Sequence, residues 1–271
     1  MASLPVQGAQ SLMRLTTAAR LARMRPDSSV RVESVGVLHT ERLLIRPMTW
    51  ADRAAFLGAA RASRDVLDRF CPLHQGAEDD DAMFDRQLAV ARAAQATGRA
   101  WRRVIEDRRD GERGGGTGRI VGAINLNNVL QGFEPRAEVN FWVRSDAAGL
   151  GFGAEAMRAV IAHAFGPTWA PRAGGAMHRP GLGLSRIDAL IAPANSGCRR
   201  VVERLGFAPD PDGPGRTLRI GGTDVEHLAY TAFAPIENAV SPAPPGRNID
   251  SLTRVIDIIL GVERIARERG S

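Results

Sequence analysis

"AAGLGFGAEAMRAVIAHAF", residues 147–165, sets Gly149, Gly151 and Gly153 at alternate positions directly ahead of an apolar run of helical period. A glycine series between a strand and a helix offers backbone N–H groups that converge on an anion, and the helix dipole adds partial positive charge at the same place. Glycines also serve merely to turn a chain tightly, so the pattern alone leaves an anion site and a plain connection both open. A dinucleotide fingerprint needs G-x-G-x-x-G and an acid about 20 residues on, after a second strand. Here the spacing is G-x-G-x-G, and no such strand and acid follow.

The segments on either side supply the context. Upstream, "VLHTERLLIRPMT" alternates Leu43 and Ile45 with Leu44 and Arg46 in strand fashion, and Thr49 opens "TWADRAAFLGAARAS" as a helix with Asp52 in its first turn. "DVLDRF" and the acids Glu78 to Asp81 lead into a helix, "AMFDRQLAVARAAQA". Strands follow at "AWRRVIED", "RIVGAINLNNV" and "RAEVNFWV", the first two joined by the glycine-rich "RRDGERGGGTG". Downstream, residues 166–183 form a Gly/Pro-rich loop of a length usually found where a segment is functional. "LSRIDALIAP" is a strand and "NSGCRRVVERLGF" a helix stopped at Gly206; "GRTLRIGGTDVEHLAYTAF" is a hairpin turning at Gly221 and Gly222. The order strand, helices, three strands, helix, strand, helix, two strands predicts a mixed α/β fold without internal repeats.

Composition narrows the function. The chain has 271 residues, 44% of them hydrophobic, enough for a substantial core. No apolar run approaches the roughly 18 residues of a membrane span, and no secretory leader follows Met1, which predicts a cytoplasmic protein without a membrane partner. All 36 basic residues are arginine, giving a net charge of +6, but they are scattered and not interleaved with aromatics. That distribution argues against DNA as the ligand. Cys71 and Cys198 belong to no metal-spaced cluster, so neither a disulfide framework nor a zinc site is expected.

Both ends differ from the middle. Residues 1–36 read as an N-terminal extension whose "SLMRLTTAARLARM" is a basic amphipathic pattern, shared by organellar transit peptides and by loosely docked extensions. Residues 37–234 hold the regular elements, 235–247 a Pro-rich linker with "SPAPPG", and 248–271 an amphipathic helix with Leu252, Val255, Ile256, Ile259 and Val262 on one stripe. Such a stripe requires a partner surface, either its own domain or a second copy as a homodimer.

Taken jointly, "HTERLLIRPMTWAD", "IVGAINLNNV" with "AEVNFWV", "AAGLGFGAEAMRAVI", and "NSGCRRVVERLGF" with "DVEHLAYTAF" resemble the GNAT superfamily of acetyl-CoA-dependent N-acetyltransferases, and within it the RimJ/RimL-like branch. The resemblance implies a mixed, mostly antiparallel central sheet of six to seven strands flanked by helices, with two strands splayed at the acetyl-CoA site. It implies an enzyme, an acyltransferase that moves acetyl from acetyl-CoA to an amine, with no metal. The family's Gln/Arg-x-x-Gly-x-Gly/Ala loop for the CoA diphosphate maps onto Ala148, Gly149, Leu150, Gly151, Phe152 and Gly153, with Ala154 next in the helix. Ala148 departs from the pattern by lacking the long polar side chain, which leaves the backbone N–H groups and nearby Arg144 or Arg158. The resemblance further implies pantetheine contacts to the strand at Phe141, Trp142 and Val143 and to Asn195.

Acetyl transfer to an amine needs a neutral nucleophile, support for a developing oxyanion, and a proton for the departing thiolate. Glu138 matches the family's acidic strand position and is the candidate base; a plain strand carboxylate paired with Arg136 is the other reading. Cys198 stands where relatives carry a serine, three residues after Asn195, and is the candidate catalytic donor despite the weakness of a thiol in that role. Tyr230, the sole tyrosine, lies in the terminal hairpin, where a core role competes with catalysis, and His163 reads as a packing residue. Asn127, Asn128 and His227 are the candidate acceptor contacts. An α-amino group titrates near 7.7–8.0 against about 10.4 for a lysine, so a modest base suffices for a protein N-terminus. The acceptor reading is therefore a protein α-amine, ribosomal or other. A CoA-binding sensor without turnover and an aminoglycoside-type acetyltransferase are the alternatives, the last of which would line its cleft with acids such as Glu78 to Asp81.

Overall fold

The computed structural model describes residues 16–17, 31–32, 36–109, 118–167, 170–171, 177–178, 181–210, 213 and 215–235. The basic N-terminal pattern is outside these residues but for two of its positions; the Pro-rich linker beyond 235, the C-terminal helix and half of the 166–183 loop also lie outside them. The regular elements belong to a compact unit that ends at Val240.

The strands are β1 (Arg31–Val32), β2 (Leu38–His39), β3 (Leu43–Arg46), β4 (Trp101–Asp107), β5 (Arg119–Leu130) and β6 (Arg136–Val143), then β7 (Ala170–Pro171), β8 (Met177–His178), β9 (Arg186–Ile191), β10 (Ala208–Pro209), β11 (Arg216–Ile220) and β12 (Thr223–Phe233). The helices are α1 (Arg53–Arg61), α2 (Arg64–Phe70), α3 (Asp80–Thr97), α4 (Phe152–Phe165) and α5 (Ser196–Arg204). Among the described residues the main sheet runs β1-β2-β3-β4-β5-β6-β9-β12-β10, with β11 on β12 and β7-β8 as a separate pair. Its pairings are antiparallel except β6 with β9. The strands of four residues or more are the ones the alternation predicts; β1, β2 and β10 have two residues each and leave no period to read.

Helices cover both faces. On one, α4 packs Ala156, Met157 and Val160 against Ile105, Ile124 and Val139. On the other, Phe56 and Leu57 of α1 and Phe84 and Leu88 of α3 meet Val104, Ile120 and Trp142, with Phe56 and Trp142 edge to face at 5.8 Å. A register shift beside Ile105/Glu106 leaves Val121 as an extra residue in β5. The bulge reverses the strand's parity, so Ile124 and Leu126 go to the α4 side while Asn125 and Asn127 go to the other. α4 buries all but a few of its 14 residues, His163 included, whose ring lies 5.4 Å from that of Trp101. After α4 the chain folds back, Leu182 and Leu184 donating to the carbonyls of His163 and Ala164 at 2.9 and 2.8 Å. Tyr230 is a brace, accepting from Arg199 Nε and donating to Glu203, both at 3.1 Å, and tying β12 to α5. Among the described residues no helix is long and apolar enough to cross a membrane.

Candidate active site

β6 and β9 pair only over Arg136↔Arg186, Ala137↔Ile187 and Glu138↔Asp188. Beyond that point β6 stays on β5 through Val143 and β9 stays on β12 through Ile191, so the two parallel neighbours part. Val139 to Val143 thus present an edge with no β9 partner, and such an edge offers free backbone donors and acceptors. A cavity of about 280 Å³ occupies the parting. Val139, Asn140 and Phe141 form one wall, Ala189 to Ala192 another, and Met157, Asn195, Cys198 and His227 close it. Of the other candidate strand contacts, the Trp142 side chain turns to the opposite core and Val143 packs toward the glycine loop.

The loop stands at the open end of this edge. Gly149 and Gly151 hold φ of 79° and 84°, the left-handed region, and Gly151 caps α4 in that conformation. Gly153 is required by close approach: a Cβ there would lie 3.0 Å from the Phe141 ring and 3.3 Å from Val143 Cγ2. The first helical bond runs from the Glu155 N–H to the Gly151 carbonyl at 3.0 Å, so the amides of Phe152, Gly153 and Ala154 have no acceptor inside the helix. Ala148, Gly149 and Leu150 are exposed ahead of them.

An acid in the first turn would repel a phosphate, and Glu155 is such an acid. Its carboxylate is instead turned inward, accepting from Thr40 Oγ1 at 2.5 Å and from Arg42 N and Nε at 3.0 and 2.6 Å. Arg42 also donates to the Leu150 carbonyl at 2.9 Å and lies over the Phe152 ring at 4.8 Å. One guanidinium thereby neutralises the acid and holds the loop. Arg144 is not free to act alone: with Arg119 it shares Asp146, at 2.7 and 2.5 Å, leaving one net positive charge beside the loop. Inward-facing acid, unpaired amides and net positive charge together fit a diphosphate.

At the other end, Glu138 is half-buried where the strands part. Arg216 Nη1 lies 3.0 Å from its Oε1, and Asn128 Nδ2 donates to Oε2 at 3.1 Å. The ion-pair partner is therefore not Arg136, the neighbour the sequence suggests, but comes from β11. Asn128 reaches Glu138 because β5 has an irregularity between Asn127 and Leu130, where Asn128 takes φ 50°, a conformation asparagine tolerates. Asn127 lines the cavity and donates to Asn140 Oδ1 at 3.4 Å, and Asn125 donates to the same oxygen at 2.9 Å. Asn140 was readable from its period, two residues after Glu138 on one face; Arg216 carried no local signal.

Asn195 and Cys198 are joined at the start of α5. Asn195 Oδ1 caps the helix by accepting from the Cys198 N–H at 3.1 Å, which leaves its amide nitrogen for a ligand. Burial, with the nearby Cys71 adding to it, pushes the Cys198 thiol up to about 12. His227 is buried at the cavity wall with Nδ1 held 2.9 Å from the Val225 carbonyl. Tyr230 and His163 are not among the cavity-lining residues.

Glu78 to Asp81 lie elsewhere and are engaged: Glu78 with Arg86, Asp79 as the cap of α3, Asp80 with Arg61, Arg64 and His74, and Asp81 with Arg53. Asp80 is drawn down to about 2, mainly by Arg61. The cluster shapes the α1–α3 surface and lines none of the cavities described here.

Comparison with known proteins agrees with this geometry. The Acetyltransferase (GNAT) domain family matches residues 42–208. Over 200 residues the chain is 23% identical to the probable N-acetyltransferase YjcK of Bacillus subtilis, covering 73% of this chain and 98% of that protein. Among solved structures, the ribosomal-protein-S5-alanine acetyltransferase of Vibrio fischeri superposes with a TM-score of 0.59 at 17% identity, covering 74% of this chain and 97% of that one. RimJ of Mycobacterium smegmatis, solved in complex with CoA-disulfide, gives 0.54 at 21% identity, covering 78% and 88%. At such identities the likeness to the solved structures is one of fold; the match to the domain family spans well over half of the chain, which belongs to the GNAT acetyltransferases.

Proposed function

We propose that the protein transfers acetyl from acetyl-CoA to a protein N-terminal α-amine, by direct attack within a ternary complex. The observation that carries this reading is the parting of β6 and β9 at Glu138, with a cavity in the gap and the glycine loop against Phe141 and Val143 at the end of the unpaired β6 edge. The structural neighbour from Vibrio fischeri, named for acetylation of an alanine of ribosomal protein S5, supports the protein acceptor.

Acetyl-CoA supplies the activated acyl group as a thioester. In this reading the amides of Gly151 to Ala154 hold its diphosphate, and the edge at Phe141 to Val143 and the amide of Asn195 align the pantetheine. Glu138 accepts the proton that the acceptor nitrogen loses, while Asn127, Asn128 and His227 position the acceptor. A thiol near 12 is a poor acid toward a thiolate whose ordinary value is about 8.5, because the transfer runs uphill by some three units. Cys198 therefore serves as a weak hydrogen-bond donor to the departing sulfur and not as its proton source.

Incubation with acetyl-CoA and a peptide library, followed by mass spectrometry, tests the proposal. N-terminal acetylation with stoichiometric CoA release is the expected result, strongest for peptides beginning with Ala or Ser. CoA binding without acetylation of any peptide would overturn it in favour of a sensor.

A further inference from the structure

We infer that Arg102 selects an acceptor that carries a carboxylate close to the reacting amine, so that the natural substrate is an N-terminus with an acidic residue in its first positions; the inference rests on the acetyl-transfer reading above.

A second cavity, of about 90 Å³, opens on the acceptor face of the sheet, and Gln87, Arg102, Arg103, Asn125 and Asn140 are the polar residues of its lining. It shares Cys71, Pro72 and Asn140 with the larger cavity at the parted strands. The register explains the alignment: Arg102 lies opposite Asn125 in β4–β5, and Asn125 opposite Asn140 in β5–β6. Arg102 is thus two strand spacings, about 10 Å, from Asn140 across the sheet. Asn140 is in turn two residues, about 7 Å, from Glu138 along β6. The two offsets combine to a diagonal of about 12 Å, which two extended acceptor residues together with the length of an acidic side chain span.

No carboxylate lines this cavity, and among the described residues Arg102 makes no ion pair. The surrounding arginines are committed: Arg86 to Glu78, Arg53 to Asp81 and Asp85, and Arg103 donates to the carbonyls of Gly36 and Arg102. Burial draws the Arg102 guanidinium below its ordinary value, and the charge of Arg86 adds to the effect although Cys71 opposes it. A guanidinium stays charged throughout the working range, so the wall holds a partly desolvated cation with no counter-charge among the described residues. An entering carboxylate satisfies it in the bidentate geometry that guanidinium favours, and the amides of Asn125, Asn140 and Gln87 add donors. A volume of about 90 Å³ accommodates a short acidic side chain. Polycationic acceptors are repelled by the same charge.

The experiment compares short peptides identical except for Glu against Gln in the second position, and free glutamate against free glutamine, in steady-state turnover and in calorimetric binding to the CoA-loaded protein. The acidic peptide is expected to exceed its neutral twin about tenfold in kcat/KM, the size of one charge-assisted bond pair. Arg102→Gln should bring the two within about twofold and Arg102→Lys should retain part of the preference, a point charge replacing a fork. Intact CoA binding by both variants shows that they fold. Equal behaviour of acidic and neutral ligands in both turnover and binding, or a preference that survives Arg102→Gln, overturns the inference. Charge-selective binding or acetylation of glutamate alone, with every peptide refused, keeps the anion site and overturns the protein-acceptor reading.

Discussion

The guanidinium of Arg216, at the start of the terminal hairpin, lies 3.0 Å from the carboxylate of Glu138, on the central strand where β6 and β9 part. A residue 78 positions later in the chain thus fixes the group best placed to accept a proton beside the cavity. The other Glu138 oxygen is held by Asn128, so one carboxylate ties the hairpin, the irregularity of β5 at Asn128 and the edge of the cavity together. Glu138→Gln keeps the shape and the Asn128 contact while removing the proton acceptor. Its kcat is expected to fall by about 10²-fold or more, the usual worth of a positioned base. CoA affinity measured by calorimetry should not change, and an unchanged kcat would remove Glu138 from the chemistry.

The loop makes a different prediction. Gly151→Val forces a side chain into φ 84°, at a cost of about 1–2 kcal/mol, and crowds Arg42, whose Nη2 lies 3.3 Å from the added Cβ. Gly153→Val meets Phe141 and Val143 instead, on the wall of the parted strands. Both should weaken CoA by more than tenfold in calorimetry, as expected where amides must approach a phosphate closely. Retained affinity in both would place the diphosphate elsewhere.

What the sequence could show follows from how far each signal reaches along the chain. The strand Arg136–Val143 is written in a local period and its limits agree with the structure to the residue; the helix is written in one too, but it begins at Phe152 and takes in Gly153, which the sequence places ahead of it. Glu138 was found because it matches the acidic strand position of the family the segments resemble, and Asn127 and Asn128 because they stand at the end of a central strand. Arg216, Arg42 and Arg102 were not, because each acquires its meaning from a partner, or the lack of one, across the sheet. The bulge at Val121 is also silent in sequence, yet it decides that Asn125 and Asn127 face the acceptor side. Cys71 and Cys198 look unrelated in the chain and line the same cavity in the fold.

Ala148 offers a gain of function. Its φ of −63° and ψ of 144° suit any side chain, and the position is exposed directly ahead of the free amides. Ala148→Arg should tighten CoA about three- to tenfold at low salt, a charge-assisted bond discounted for exposure. The gain should fade at high ionic strength. Calorimetry at two salt concentrations checks both parts, and no gain at low salt would show that the shared charge of Arg119 and Arg144 already saturates the site.

Glu155 and Arg42 form a pair of which the acid is almost fully buried, with side-chain exposures of 11% and 27%. Removing one partner leaves the other charge uncompensated, which costs about 3–5 kcal/mol for a fully buried pair and about 2 kcal/mol after allowance for the exposed arginine. Arg42→Ala should therefore lower the urea midpoint and weaken CoA together, because it also releases the Leu150 carbonyl. Thr40→Ala removes a contact to the same carboxylate without freeing the loop, so its stability should fall while CoA affinity holds.

The last expectation concerns acid. Burial alone would raise the Asp52 carboxyl, but the hydrogen bonds from Arg46 Nη1 and Nη2, at 2.8 and 2.7 Å, and from the Thr49 N–H outweigh it and hold the group below its ordinary value. Arg46 also reaches Glu106 at 2.7 Å, so the bridge joins β3 and β4 to the entry of α1. A carboxyl lowered in the folded state contributes stability that is fully present above the unfolded value of about 3.9 and is lost as pH falls through the folded one. Urea unfolding from pH 7 down to about 3 should show that loss in the wild type below about pH 4. Asp52→Asn should be less stable at pH 7 and should converge on the wild type in acid, because protonation does to Asp52 what the substitution has already done. Parallel stability curves for the two proteins across this range would show that the Arg46 bridge is not what acid breaks.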